Sequence, residues 1–417
     1  GFDNVDIRFQ VFSRHNGKVY GLDTATNMIK TESSQKTKLW SVDEGSSMKP
    51  QTPILLGEGK VLELIDLETL YLGYLSGATT IHNDIAAVQP QEIENISTRV
   101  VAAAQGRPVL ALGARHWFPE EDSTFGAAAA KGGAYGASTQ AAAKNFLNST
   151  PFGTIPHALE NMFAWLFGKA NAVWTTALAF NHFFPELETI ALVDYNNREI
   201  DDAVTTCKVF DKYGKKLAGI RIDTSSSHHM QGVDPSSPPP RGISPKYWNN
   251  KGVSISGVMQ VRQALDEADC HHVKIYLTSG FSNPEKVLAF SEAATVLATT
   301  QAIQSSSPAR RGKDPSRFFE FVDGFGAGMM PARIIPYTMD IVGVGMSSTT
   351  DQQKLYTHVA NLLHLETGTE LGTIPPFAST TLTPHKIPLQ DSKPYLSHVS
   401  KAGRGLWWNP DLKPVSR

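Results

Sequence analysis

The run Gly153-Thr154-Ile155-Pro156-His157-Ala158-Leu159 sets a histidine at the opening of a helix-like segment, just past a Gly-Thr turn. Backbone N–H groups at a helix start point the same way and attract phosphate. An imidazole beside a bound triphosphate can also act as a covalent nucleophile. Taken alone, His157 reads as a helix-start residue packed on the preceding turn, but its surroundings shift that reading. Five other segments end in similar chemistry: Arg115-His116, Asp194, Arg221 with Asp223, Ser279-Gly280, and Asp323-Gly324 with Gly326 and Gly328.

These residues follow short β-rich runs at Val109–Leu112, near Phe152, and at Thr189–Val193, Leu217–Ile222, Val273–Leu277 and Phe318–Val322. Between the runs lie helix-like segments at Ala127–Asn148, Ala158–Phe184, Asp201–Tyr213, Val253–Ala268 and Pro284–Ala298. Continuous apolar strands separated by helices read as βαβ units around a parallel sheet. In a closed α/β barrel all the strand ends meet at one rim, where barrel active sites are built. One polar strand end is ordinary capping. Six in succession, mixing cations, carboxylates and glycines, predict a site for a charged, phosphorylated substrate.

The flanks differ. An amphipathic helix is expected over Leu67–Ser76, a strand over Met339–Val344 and a helix over Gln352–Leu363. The flanks read as one α/β layer with the barrel inserted between them. The division expected is 1–95 as the N-terminal part of a sandwich domain, 96–335 as the barrel, and 336–417 returning to the sandwich. Ser225–Gly252 and Gln304–Arg317 read as insertions too polar and proline-rich to pack, forming mobile loops near the site mouth. No internal repeat is evident.

Composition limits the partners. Thirty-eight basic against forty acidic residues leave a net charge of -2 over 417 residues, so no global field draws the chain to nucleic acid or membrane. The anion site must be local. Cys207 and Cys270 cannot make a disulfide framework or a zinc cluster by themselves; they read as small buried apolar residues of a reducing compartment. The first residues carry no cationic, then apolar, leader pattern, and a cytoplasmic location is expected. The apolar stretch Met162–Phe184 is broken by Lys169, Asn171, Asn181 and His182, which predicts a buried helix rather than a membrane span.

The set Gly113-Ala-Arg-His, Gly132-Gly-Ala-Tyr-Gly-Ala-Ser, Gly153-Thr-Ile-Pro-His-Ala-Leu, Leu192-Val-Asp, Ile220-Arg-Ile-Asp-Thr-Ser-Ser, Thr278-Ser-Gly and Asp323-Gly-Phe-Gly-Ala-Gly resembles nicotinate phosphoribosyltransferase in its shorter archaeal and bacterial form. The resemblance runs from about Glu44 to Gly345 in matching order. It implies a type II phosphoribosyltransferase fold, an irregular parallel α/β barrel with an α/β sandwich domain, in a homodimer whose sites lie between subunits. It also implies transfer from phosphoribosyl pyrophosphate to nicotinate, giving nicotinate mononucleotide and pyrophosphate, coupled to ATP hydrolysis and needing Mg²⁺.

Roles carried over by the resemblance are specific. His157 matches the histidine phosphorylated by ATP, with Thr154 in the turn before it. Arg221 matches the arginine on the pyridine ring, where a guanidinium both stacks and neutralises a carboxylate. Asp223 matches the aspartate near the ribose and attacking nitrogen; its bland alternative is a helix N-cap. Arg115 matches an arginine on the pyridine carboxylate or the pyrophosphate, and its alternative is a surface ion pair. Ser279, Gly280, Gly324, Gly326 and Gly328 match turns whose N–H groups cradle the ribose 5-phosphate. Asp194 reads either as holding Mg²⁺ through water with the pyrophosphate or as orienting the Arg221 strand. No direct metal ligands are assigned. Ser138 stands where a nicotinamide enzyme is expected to carry Asp, which favours an anionic pyridine.

The sequence departs from the family at Leu112, where an aromatic is usual, at His116 in place of a second Arg, and at Phe281 and Met329 in the phosphate turns. His228-His229 replaces an Arg pair and reads as solvated. No match appears in 1–43 for the segment that reaches across the dimer. The alternatives are a quinolinate or nicotinamide phosphoribosyltransferase, or a catalytically weakened paralogue acting as a binding scaffold.

Overall fold

The computed structural model describes residues 2–34, 36–83, 85–304, 321–346, 348–365 and 411–415. The N-terminal layer contains β1 (Asp6–Ser13), α1 (Leu22–Glu32), β2 (Lys38–Ser41), β3 (Leu55–Lys60) and α2 (Glu68–His82). The middle runs α3 (Pro90–Ala103), β4 (Val109–Ala111), α4 (Asp122–Lys131), β5 (Gly136–Ala137), α5 (His157–Phe167), α6 (Ala172–Phe183) and β6 (Ile190–Leu192). It continues through α7 (Glu199–Lys212), β7 (Gly219–Ile222), α8 (Ile255–Glu267), β8 (Lys274–Leu277), α9 (Pro284–Gln304) and β9 (Gly324–Ala327). The chain then returns as β10 (Tyr337–Gly345), α10 (Thr349–Leu362) and β11 (Lys413–Pro414).

Two sheets result. The first is antiparallel, ordered β10-β1-β3-β2-β11, so the tail strand lies against the first strand of the chain. The second has six parallel strands ordered β5-β4-β9-β8-β7-β6. Its strands are short and almost wholly apolar, as both faces are covered by helices. The architecture is α/β, with a parallel sheet and a separate antiparallel one. The edge strands β5 and β6 share no ladder among the described residues. Instead the segment 152–157 runs from β5, where the Phe152 N–H donates to Ala137 O at 2.9 Å, to His157 beside the end of β6. The strand expected near Phe152 is therefore a single backbone bond.

Tyr337 at the start of β10 is buried and its hydroxyl lies 2.9 Å from Thr79 Oγ1 of α2. Arg333 grips Glu92 of α3 with two bonds of 2.7 Å. These contacts hold the start of β10 and the segment leading into it to α2 and α3.

Several expectations are corrected. The single helix expected over 158–184 breaks at Gly168, whose φ of 82° a residue with a side chain rarely adopts. The helix expected over 127–148 stops at Gly132, where a Cβ would sit 2.4 Å from Ser97, and a short strand follows. Of the strand expected over 318–322, residues 318–320 lie outside the described residues, and the strand forms at Gly324–Ala327. Its Gly-Phe-Gly-Ala composition has poor strand propensity, but ladders on both sides override that. Segment 225–252 packs rather than forming a mobile loop: Met230, Ile243, Tyr247 and Trp248 are buried, and Asn249 Nδ2 donates to the carbonyls of Asp234, Pro235 and Ser237. The other insertion, from 305 on, lies outside the described residues. Cys207 and Cys270 are buried as expected but joined by a disulfide, so cysteine usage no longer argues for a reducing compartment. Among the described residues no helix is long and apolar enough to cross a membrane.

Candidate anion-binding active site at the strand ends

His157 is the first residue of α5, and Pro156 before it lacks an N–H that the helix could not use anyway. Its Nε2 lies 3.2 and 3.1 Å from the two carboxylate oxygens of Asp194, which follows β6. Asp194 is 8% exposed and His157 28%. A buried carboxylate on one ring nitrogen fixes the imidazole's orientation and leaves Nδ1 as the nitrogen carrying the lone pair. That is the arrangement of an activated nucleophile with its orienting group. Of the two readings of Asp194, the orienting one fits, although it acts on His157 rather than on the Arg221 strand. Thr154 and Gly153 are exposed, and a Cβ at Gly153 would meet nothing within 4 Å, so the turn is open to a ligand.

Arg221 on β7 is 11% exposed and donates from Nη2 to Ile155 O at 3.3 Å, while its Nε is buried without a partner. Asp223, two residues on, lies 4.0 Å from Arg221 Nη2 and accepts from Thr278 Oγ1 at 2.6 Å. No helix begins after Asp223, so the N-cap alternative falls away. Instead the carboxylate is braced by the end of β8.

The turn after β8 has a backbone geometry suited to an anion. Ser279 and Gly280 have φ of 71° and 83°, which turns their backbone groups out of the strand. Lys286, in the first turn of α9, folds back so that its Nζ donates to Ser279 O at 3.0 Å. The ammonium lies 4.3 Å from the Phe281 ring centroid. Burial pulls the Lys286 ammonium down to about 8, partly opposed by the nearby Asp223 carboxylate. Phe281 itself is buried against Phe290 and Phe325, with centroids 5.1 and 5.3 Å away, so its bulk does not occupy the turn. Met329 is likewise buried.

Gly324 and Gly326 are corrected. Both lie inside β9, where a Cβ would meet Tyr276 at 3.0 Å or Leu112 at 2.5 Å, so they make room for neighbouring side chains rather than for phosphate. Gly328 stands past the strand end, beside His116 and Ser282. Ser138 follows β5 half-buried, on the far side of β4 from the Ser279 turn. Arg115 is 43% exposed and reaches Glu68 only at 3.8 Å, a weak surface pair that leaves its charge available. His116 does not stand in for a cation: burial drives its imidazole down to about 3, so it is neutral. His229 is half-buried rather than solvated and bridges to Gly252, while His228 is exposed.

Two cations escaped the sequence reading. Arg14 extends from the end of β1, donates to Thr338 Oγ1 at 3.2 Å, and feels the charges of Asp340, Arg115 and Asp223. Nothing in its local sequence marks it, because only the fold brings β1 to this rim. Lys286 did leave a signal. A lysine in a helix's first turn opposes the helix dipole, and such local conflicts gather at functional sites. Arg14, Arg221 and Lys286 thus face Asp223 from three separate segments, with Arg115 close enough for Arg14 to feel its charge.

Comparison with known proteins adds the fold. The family model of the quinolinate phosphoribosyl transferase N-terminal domain matches residues 1–79. A structure of nicotinate phosphoribosyltransferase from Porphyromonas gingivalis superposes with a TM-score of 0.57 at 12% identity, over 87% of this chain and 94% of that one. The Saccharomyces cerevisiae structure described as a nicotinate phosphoribosyltransferase gives 0.56 at 14% identity, over 87% and 93%. The Vibrio cholerae enzyme gives 0.53 at 11%, over 87% and 89%. The chain has the fold of the nicotinate phosphoribosyltransferases. A search of curated protein sequences finds no match.

Lys286 gives a pH prediction. Binding of inorganic phosphate should be strongest below about 8, where the ammonium is charged, and weaken as pH rises through that value, by up to about tenfold per unit. Lys286→Arg keeps its charge throughout and should lose this inflection. Calorimetric titrations across that range check it; an identical profile in both proteins would remove Lys286 from the anion site.

Proposed function

We propose that this chain transfers a phosphoribosyl group from phosphoribosyl pyrophosphate to nicotinate, forming nicotinate mononucleotide and pyrophosphate, with ATP hydrolysis coupled through His157. The observation that carries the reading is the convergence of Arg14, Arg221 and Lys286 on Asp223, with Arg115 near Arg14 and with Arg221 bonded to Ile155, two residues before the His157 paired to Asp194. Nicotinate and phosphoribosyl pyrophosphate are both anions, and the cations at the rim offset part of their charge. Arg221, with an unpaired buried Nε, is the group for the pyridine carboxylate. The Ser279-Gly280 turn with Lys286 holds a phosphate.

In transfer the pyridine nitrogen attacks the anomeric carbon, and the bond to pyrophosphate oxygen breaks with its electron pair. Positive charge develops on the sugar, where the Asp223 carboxylate, held by Thr278, stabilises it. The departing pyrophosphate is met by Arg115. Mg²⁺, a hard cation that prefers phosphate oxygens and water, supplies further neutralisation of the pyrophosphate. Asp223 fits its water shell; Asp194, turned to His157, does not. ATP is the co-substrate: Nδ1 of His157 attacks the γ-phosphorus, ADP leaves, and water later takes the phosphoryl group from the ring.

The quinolinate reading draws on the family match over residues 1–79 and on the four cations, which would suit a dicarboxylate. The oriented His157 has no task in it. The weakened-scaffold reading rested on Phe281 and Met329, and both side chains turn into the core. For nicotinamide, Ser138→Asp is the test. The new carboxylate should repel nicotinate and accept the amide N–H, shifting the ratio of kcat/KM toward nicotinamide by about tenfold or more. A ratio unchanged in that variant would place the ring away from Ser138.

A homodimer is part of the proposal. Leu147, Phe183, Phe184 and Leu187 are exposed, and a self-complementary contact would cover such groups. Light scattering at micromolar concentration should give twice the chain mass; a fully active monomer would refute it. We place this activity in the cytoplasm, where phosphoribosyl pyrophosphate and ATP would be available as soluble substrates.

A further inference from the structure

At the end of the parallel sheet opposite the anion site, four metal-ligating side chains meet. Cys207 and Asp211 are one turn apart on α7 and share a face, with Cys207 Sγ 4.0 Å from Asp211 Oδ2. Cys270 and His272 flank His271 in the turn that feeds β8. The Cys207 sulfur, an Asp211 oxygen and a His272 ring nitrogen all lie within 4.8 Å of one another, and the Cys207 and Cys270 Cα atoms are 6.4 Å apart. Both sulfurs are buried, while Asp211 and His272 are exposed.

The turn does not depend on the sulfur bond for its shape. Cys270 N–H donates to Leu265 O at 2.7 Å and Val273 N–H to Cys270 O at 3.2 Å. Arg262 of α8 donates to the carbonyls of Cys270 and Val273 at 3.1 and 2.7 Å. Two reduced cysteines would therefore stay within reach of each other. Zinc holds thiolate sulfur at about 2.3 Å and imidazole nitrogen at about 2.0 Å in a tetrahedron. Ligand atoms already this close need only side-chain rotation to reach that shape. Two thiolates, an imidazole and a carboxylate form a closed, soft donor set, which suits a structural zinc rather than magnesium or calcium.

We propose that Cys207, Cys270, Asp211 and His272 form a zinc site in the reduced protein, and that disulfide and metal are exclusive states of one staple between α7 and the turn before β8. A dithiol reductant converts the disulfide to two thiols and is itself oxidised to a disulfide. As zinc binds, the two thiols release their protons to solvent. The site lies at the opposite end of the sheet from Ser279, so it acts on stability and stands independently of the proposed transferase activity.

The test uses the full chain, reduced with a phosphine and freed of metal. Zinc is titrated against a chromophoric chelator, and cobalt is used as a spectroscopic probe. The reduced protein should take up one ion with thiolate–cobalt charge-transfer bands and a raised Tm, while the oxidised protein takes up none. Asp211→Asn and His272→Ala alter exposed groups and leave the buried cysteines intact. Each should weaken zinc binding by about tenfold or more without shifting the Tm of the oxidised form. Absence of stoichiometric uptake by the reduced protein, or uptake unchanged in both variants, would overturn the proposal.

Discussion

His157→Ala should lose nicotinate-stimulated ATP hydrolysis and retain only a slow, ATP-independent transfer. Asp194 holds the imidazole as an oriented nucleophile, and removing it leaves the cations and Asp223 to stabilise the transfer unaided. Asp194→Asn tests the same unit more gently. The amide can no longer anchor the ring as a charge partner, so ATP hydrolysis should fall by roughly two to four orders of magnitude while phosphoribosyl pyrophosphate still binds. Mass spectrometry of ATP-treated protein should place an acid-labile phosphoryl group on His157. A phosphoryl group on another residue would break the assignment.

Arg221→Ala should weaken nicotinate far more than phosphoribosyl pyrophosphate. Arg221 is nearly buried, and truncating one partner of a desolvated charge pair costs about 2–5 kcal/mol, or roughly thirty- to several-thousandfold in Kd. An exposed ion pair would cost about 1 kcal/mol or less, which separates the two readings of the residue. Isothermal calorimetry with each ligand measures the difference. Equal losses for both would mean that Arg221 serves the sugar phosphate end instead.

The parallel-sheet half of the fold was legible because buried strands such as Ile220-Arg-Ile and Ile275-Tyr-Leu are short apolar runs between amphipathic helices. Their polar ends gave Asp194, Arg221, Asp223 and Ser279 as candidates by position, whereas His157 follows a segment that forms no strand. What could not be read was pairing between distant segments. Arg14 reaches the rim only through the β1 ladder to β10, over three hundred residues away in sequence. Glycines misled in the other direction: Gly324 and Gly326 looked like a phosphate turn, yet their missing Cβ atoms accommodate Tyr276 and Leu112 across the sheet. Phe281 looked like an obstruction because sequence shows side-chain size but not direction. The disulfide was hidden for the same reason, since sixty-three residues separate its cysteines and only the packing of α7 against α8 brings them together.

The central claim is tested most directly by product analysis with nicotinate, quinolinate and nicotinamide offered in parallel, each with phosphoribosyl pyrophosphate and Mg²⁺, with and without ATP. The account predicts nicotinate mononucleotide and pyrophosphate from nicotinate, formed faster with ATP and accompanied by ADP. Product from quinolinate with no response to ATP, or no product from any of the three, would contradict it.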